Sequence, residues 1–176
     1  MIAIDPLVGT IVRLGLSVLF AFAAWHKLRD PVAFRAAATD YQLVPARLLG
    51  AFALALPLVE SAVAVGLIWP DTARAAGVAG AGLLGLYSGA IGINLLRGRR
   101  RIECGCFGPA ARRELDEWLL ARNGALVVAC LCGALPAGDR ALGLLDLFVC
   151  AAGSTTIFAL WSALSTMTEP RLRGQP

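Results

Sequence analysis

Two thiols stand one glycine apart in the stretch RRRIECGCFGP, which runs from Arg99 to Pro109. A disulfide between Cys104 and Cys106 closes only a small, strained ring, and Gly105 eases it by offering no side chain to restrict the backbone. Strained disulfides are more oxidising and more easily reduced than structural ones, so this spacing suits exchange better than scaffolding. Arg99, Arg100 and Arg101 lie close enough in sequence to favour the thiolate, the form that attacks. Gly108 and Pro109 end any helix there and keep the pair in an exposed turn. Redox exchange and metal binding are both open to such a pair, and two loop cysteines placed by chance are the bland alternative. Exchange leads, because a zinc site takes four ligands and the single His26 does not complete one.

Other residues carry weaker signals. Glu60, in LPLVES, is an acid deep inside an apolar run. A carboxylate there is costly and faces the bundle interior with a partner or stays protonated. Pro57, one turn earlier, frees a backbone carbonyl and adds local polarity. A functional role and a structural hydrogen bond are equally open to Glu60. Asn94 reads as a helix–helix hydrogen-bond donor rather than a ligand. Lys27 adds positive potential on the side of the thiols and His26 could move a proton, although an interfacial anchor explains both. Cys130, Cys132 and Cys150 could form a second redox pair, with Cys132 and Cys150 approaching each other. The simpler reading of buried cysteine is a small hydrophobe. Five cysteines in all leave at least one unpaired in a monomer, which argues against a disulfide framework.

The elements that must hold these groups are membrane helices. Of 176 residues, 58% are hydrophobic and 16% charged, with a mean hydropathy of +0.71. Soluble domains run at about 45–50% apolar and about 25% charged. The net charge of +4 sits beside apolar runs, a pattern that reports membrane topology rather than nucleic-acid binding. Runs near the roughly 20 residues a bilayer demands occur at Pro6–Trp25, Leu48–Trp69, Ala75–Leu96 and Ala141–Met167. Trp118–Pro136 is a weaker fifth. The expected fold is all-α, a polytopic membrane helix bundle of about five transmembrane helices with four as the fallback, forming one domain over residues 1–176. Met1–Trp25 lacks a basic start and is followed by WHKLRDP rather than small residues, so it reads as a retained span and not a cleaved signal. Arg13, near the outer end of that span, is placed to snorkel to the interface.

With five spans, thirteen of the sixteen Lys and Arg fall on one side. Positive residues stay cytoplasmic, which puts the amino terminus outside and both the carboxyl terminus and the Cys104–Cys106 turn inside. Gly85 and Gly89 in the third span have the spacing that lets helix backbones approach closely. Packing within one subunit is favoured over a homodimer contact. No nucleotide, haem or flavin signature is evident, and nothing in the sequence supports a quinone.

HKLRDPVAF, YQLVPARLLG, ALPLVES, INLLRGRRRIECGCFG and LLARNGALV follow one another in order. Together they resemble the MauE family, within the MauE/DoxX group of redox-associated membrane proteins, over roughly His26 to Val128. The resemblance implies a bacterial inner-membrane accessory protein of methylamine utilisation. It implies help in processing, transport or maturation of a disulfide-rich periplasmic client, the small subunit of methylamine dehydrogenase, together with a thioredoxin-like partner. Carried over, Cys104 and Cys106 are the redox pair, while Glu60 and Asn94 match polar positions without an assigned role. Two alternatives come from other classes: a small transporter or export component using Glu60, and a non-catalytic DoxX-like subunit of a quinol-oxidising complex. A periplasmic client sits on the other side of the membrane from the turn as the arginines orient it, and the arginine asymmetry is the stronger signal.

Overall fold

The computed structural model describes residues 5–99, 117–136, 138 and 143–167. Among these residues six α-helices follow in order: α1 Pro6–Arg29, α2 Pro31–Asp40, α3 Leu49–Ile68, α4 Pro70–Leu96, α5 Glu117–Gly133 and α6 Leu144–Met167, with a 3-10 turn at Ala46–Leu48. Proline opens three of them. Its fixed φ suits the first helical position, where a missing N–H costs nothing. Asp5 caps α1 by accepting from the Leu7 amide at 2.8 Å. Asp30 ends α1 and, through the Ala33 amide at 2.9 Å, caps α2. α2, at ten residues, is too short to cross a bilayer and stands outside the apolar runs of the sequence.

The bundle is turned outward in its apolar surface, as lipid requires. Leu54, Leu58, Val65 and Leu86 are exposed, while the centre is built from Leu16, Phe20, Ala64, Leu67 and Leu84. α1, the stretch Ala46–Ile68 and α4 are each long and apolar enough to cross a membrane. At 17 residues α5 is about 25 Å long, short of the roughly 30 Å hydrocarbon core. The chain is an all-α membrane helix bundle. α4 begins at Pro70, five residues before the expected span, because Trp69 alone connects it to α3.

Arg13 docks on the end of α5. Its Nε donates to the Gly133 carbonyl at 2.8 Å and its Nη2 to that of Leu135 at 3.1 Å. The last carbonyls of a helix have no partner of their own and carry partial negative charge, so a guanidinium reaching them from α1 is well matched.

The glycines of α4 divide into two sets. A Cβ at Gly77 would sit 2.8 Å from the Cys130 carbonyl oxygen and 3.0 Å from the Ala134 Cβ, so its absence lets α4 and α5 touch. At Gly82, Gly85, Gly89 and Gly92 an added Cβ would meet nothing within 4 Å. Gly77→Ala therefore forces backbones apart and is expected to cost about 1–3 kcal/mol. Gly85→Ala meets open space and stabilises the helix by about 0.5–1 kcal/mol. Thermal unfolding in detergent reads both. Equal losses at the two positions would mean that another helix covers Gly85.

Candidate functional site

Glu60 and Lys27 meet inside the bundle. On α3 the buried positions Pro57, Glu60, Val63, Ala64 and Leu67 recur at helical spacing, so Glu60 falls on the inward stripe. On α1, Phe20, Ala23, Ala24 and Lys27 do the same. Side chains of an α-helix lean toward its N-terminus, so Lys27, two residues before the end of α1, reaches back into the bundle rather than out to the interface. Its Nζ lies 2.7 and 2.9 Å from the two Glu60 oxygens. The Tyr87 hydroxyl of α4 donates to Oε1 at 2.5 Å. Glu60 is 0% and Lys27 3% exposed. The interfacial-anchor reading of Lys27 gives way to a buried ion pair that ties α1, α3 and α4 together. In a low-dielectric interior such a pair stands only when charge is matched and remaining lone pairs find donors, which Tyr87 supplies.

A cavity of about 100 Å³ opens beside this network. Phe34, Tyr41, Phe52, Tyr87 and Ile91 line it, together with Lys27. Phe34 and Phe52 stack with centroids 6.3 Å apart. The Lys27 Nζ lies 5.6 Å from the ring centroids of both Phe34 and Tyr87, within reach of cation–π attraction. Neither Tyr87 nor the cavity was singled out in the sequence. A tyrosine at position 87 in a glycine-rich helix is a visible signal, but nothing local links it to Glu60.

Asn94 is fully buried near the end of α4. Its Nδ2 donates to the Ala90 carbonyl at 3.0 Å and to that of Tyr41, beyond α2, at 3.3 Å. Its Oδ1 has no partner among the described residues. Arg99 follows, its amide donating to the Asn94 carbonyl at 2.9 Å. His26 is half-buried and stands edge-on to Phe22 at 4.4 Å between centroids. Cys104, Cys106, Arg100 and Arg101 lie outside the described residues. What is described is where their segment begins and ends. Ile91 of α4 and Leu119 of α5 pack together with Tyr41 and Leu95, so α4 leaves and α5 returns at one end of the bundle, the end of α2 and the cavity.

Cys130, Cys132 and Cys150 are free thiols. Cys130 is packed against Phe20 and Gly80, and the buried Cys150 has its Sγ 4.0 Å from the Leu7 carbonyl oxygen. The two buried thiols thus have different neighbours, both toward the opposite end from Lys27. Among the described residues no group of three His, Cys, Asp or Glu could hold a metal ion.

A family model described as methylamine utilisation protein MauE matches residues 5–136, which takes in α1 to α5. The chain belongs to the MauE family. Methylamine utilization protein MauE of Methylorubrum extorquens is 41% identical over 164 residues, covering 91% of this chain and 88% of the relative. That of Paracoccus versutus is 36% identical over 165 residues, 93% and 88% of the two chains. That of Paracoccus denitrificans is 39% identical over 135 residues, 77% and 72%. No solved structure matches. Family membership makes the chain an accessory of methylamine utilisation and agrees with its apolar helices.

Proposed function

We propose that this chain is a multi-pass inner-membrane maturation factor that uses Cys104 and Cys106 in thiol-disulfide exchange with a thioredoxin-like partner. Its client is a disulfide-rich periplasmic protein, the methylamine dehydrogenase small subunit by family resemblance. The observation that carries the reading is the joining of α4 to α5 through Ile91 and Leu119, which anchors both ends of the Cys-Gly-Cys segment at one end of the bundle. The three remaining thiols are free and toward the opposite end. Glu60, on which a transport reading would depend, is already held by Lys27 and Tyr87.

In the exchange, a thiolate of the pair attacks a partner disulfide, forming a mixed disulfide and releasing a partner thiolate. The second cysteine then attacks its neighbour's sulfur. The Cys104–Cys106 disulfide closes, the partner leaves as a dithiol, and the pair has lost two electrons and two protons. Run in reverse, with the thiolate of a second dithiol attacking the Cys104–Cys106 disulfide, the same steps form that dithiol's disulfide. The periplasmic client is reached across the membrane rather than by contact with the pair. Orientation follows from charge with five spans, α2 lying at the interface. Setting aside Lys27, which pairs with Glu60, twelve arginines remain on the turn side against three. That asymmetry makes the turn cytoplasmic.

Single-serine variants test the exchange. Either Cys104→Ser or Cys106→Ser leaves one attacking thiol with no neighbour to resolve it, so one of the two accumulates a disulfide-linked adduct on non-reducing gels. Adducts from neither sink the reading. Sidedness is read separately, in a chain with Cys130, Cys132 and Cys150 changed to alanine. A membrane-impermeant thiol reagent is expected to label the pair only after lysis. Labelling in intact cells would instead put the pair in direct reach of the periplasmic client and overturn the arginine-based orientation.

A further inference from the structure

We propose that the cavity beside Lys27 is a binding site for one small, uncharged, planar ring compound that presents an acceptor oxygen to the Lys27 ammonium. An ammonium has three N–H donors. Two go to the Glu60 oxygens, and the third has no hydrogen-bond acceptor among the described residues. The wall around it is made of rings: Phe34, Tyr41, Phe52 and Tyr87. A buried donor left without an acceptor is costly, and aromatic faces answer it only in part.

Each feature of the site restricts the ligand. The volume of about 100 Å³ is on the scale of a single ring, below that of an engineered apolar cavity of about 150 Å³ that encloses benzene, and this site is open on one side, so substituents of a ring need not be enclosed. Water needs two to four polar partners to stay in such a place, and the aromatic and aliphatic wall supplies few. A saturated acyl chain would fill space but leave the third N–H unanswered. Charge is excluded from both sides. The Lys27–Glu60 pair is already balanced, so an anion would crowd the Glu60 carboxylate and a cation the ammonium. What remains is a neutral flat ring with a carbonyl or hydroxyl oxygen, stacked among aromatic faces that favour offset or edge-on contact. Such a ring could be the head of a lipid-borne molecule or a free small aromatic. The site stands independently of the thiol reading, because it rests on α1 to α4 alone.

The test uses the full chain in lipid nanodiscs with two fluorinated probes followed by ¹⁹F NMR, 4-fluoroacetophenone with an acceptor oxygen and fluorobenzene without one. The ketone is expected to bind saturably, at least tenfold tighter than fluorobenzene. Ala37→Leu and Ala90→Leu, which fill the cavity from α2 and α4 without touching the ion pair, are expected to weaken it at least tenfold while the helical circular dichroism is kept. A fully substituted prenylated benzoquinone that displaces the ketone where phenol does not identifies a lipid-borne ring. The reverse identifies a free one. Equal binding of the two probes removes the role of Lys27, and ketone binding unchanged in both filled variants places it in the bilayer; either result overturns the proposal.

Discussion

Lys27→Met is expected to cost about 3–5 kcal/mol of bundle stability. The charge is lost from one side only. Glu60 stays at 0% exposure, and among the described residues Tyr87 is the donor that remains. Glu60→Met strands the ammonium in the same way and is expected to cost a similar amount. The double variant is the informative one. With both charges gone and volumes kept, the pair becomes an apolar contact, and such replacements are often neutral or stabilising. Its residual cost is about 1–3 kcal/mol for the Tyr87 hydroxyl, which loses its acceptor, and Tyr87→Phe in that background is expected to recover most of it. Unfolding in mixed micelles with increasing SDS fraction measures all four chains. If the double variant loses the sum of the two singles, the carboxylate and ammonium are not coupled, and the ion pair is not what joins α1 to α3.

Much of this arrangement was written in the sequence and part of it was not. The long helices are legible because lipid imposes a length and excludes charge, so α1, α3 and α4 stand out as apolar runs. Glu60 was visible for the same reason, as the exception inside one of them. Its partner was not, because Lys27 lies at the end of a span, where a lysine ordinarily turns outward. Helical phase resolves the ambiguity: Lys27 continues the inward stripe of Phe20, Ala23 and Ala24. α2 was also legible in principle. Asp30-Pro31 repeats the capping pair Asp5-Pro6, but the ten residues that follow are too polar to register as a span. Two facts had no local trace. The docking of Arg13 on the end of α5 joins positions about 120 apart, and Tyr87 meets Glu60 only because α3 and α4 cross closely at Gly66, where a Cβ would lie 2.9 Å from that of Ala76.

Cys104→Ser combined with Cys106→Ser is expected to abolish client disulfide formation, and with it growth on methylamine as sole nitrogen source. A serine hydroxyl at neutral pH is neither a thiolate nor able to enter a disulfide, so both the attack and the resolution step disappear. The loss is expected to be complete rather than graded, and the assay is the redox state of client cysteines trapped by acid and alkylation. The contrast is the triple variant Cys130→Ala, Cys132→Ala, Cys150→Ala. Cys130 and Cys150 are buried, so their removal opens small cavities and costs stability, of order 1 kcal/mol each, while exchange continues. Glu60→Gln adds a third arm: it keeps an acceptor for Lys27 but removes its counter-charge and so costs stability. At matched levels of folded protein it leaves client disulfides intact on the exchange reading and blocks uptake or export on the transport reading. The decisive pattern is therefore a crossed one. Thiol chemistry that survives without Cys104 and Cys106 but fails without the three thiols of α5 and α6 would move the site to the other end of the bundle, because electrons can pass only where two sulfurs meet.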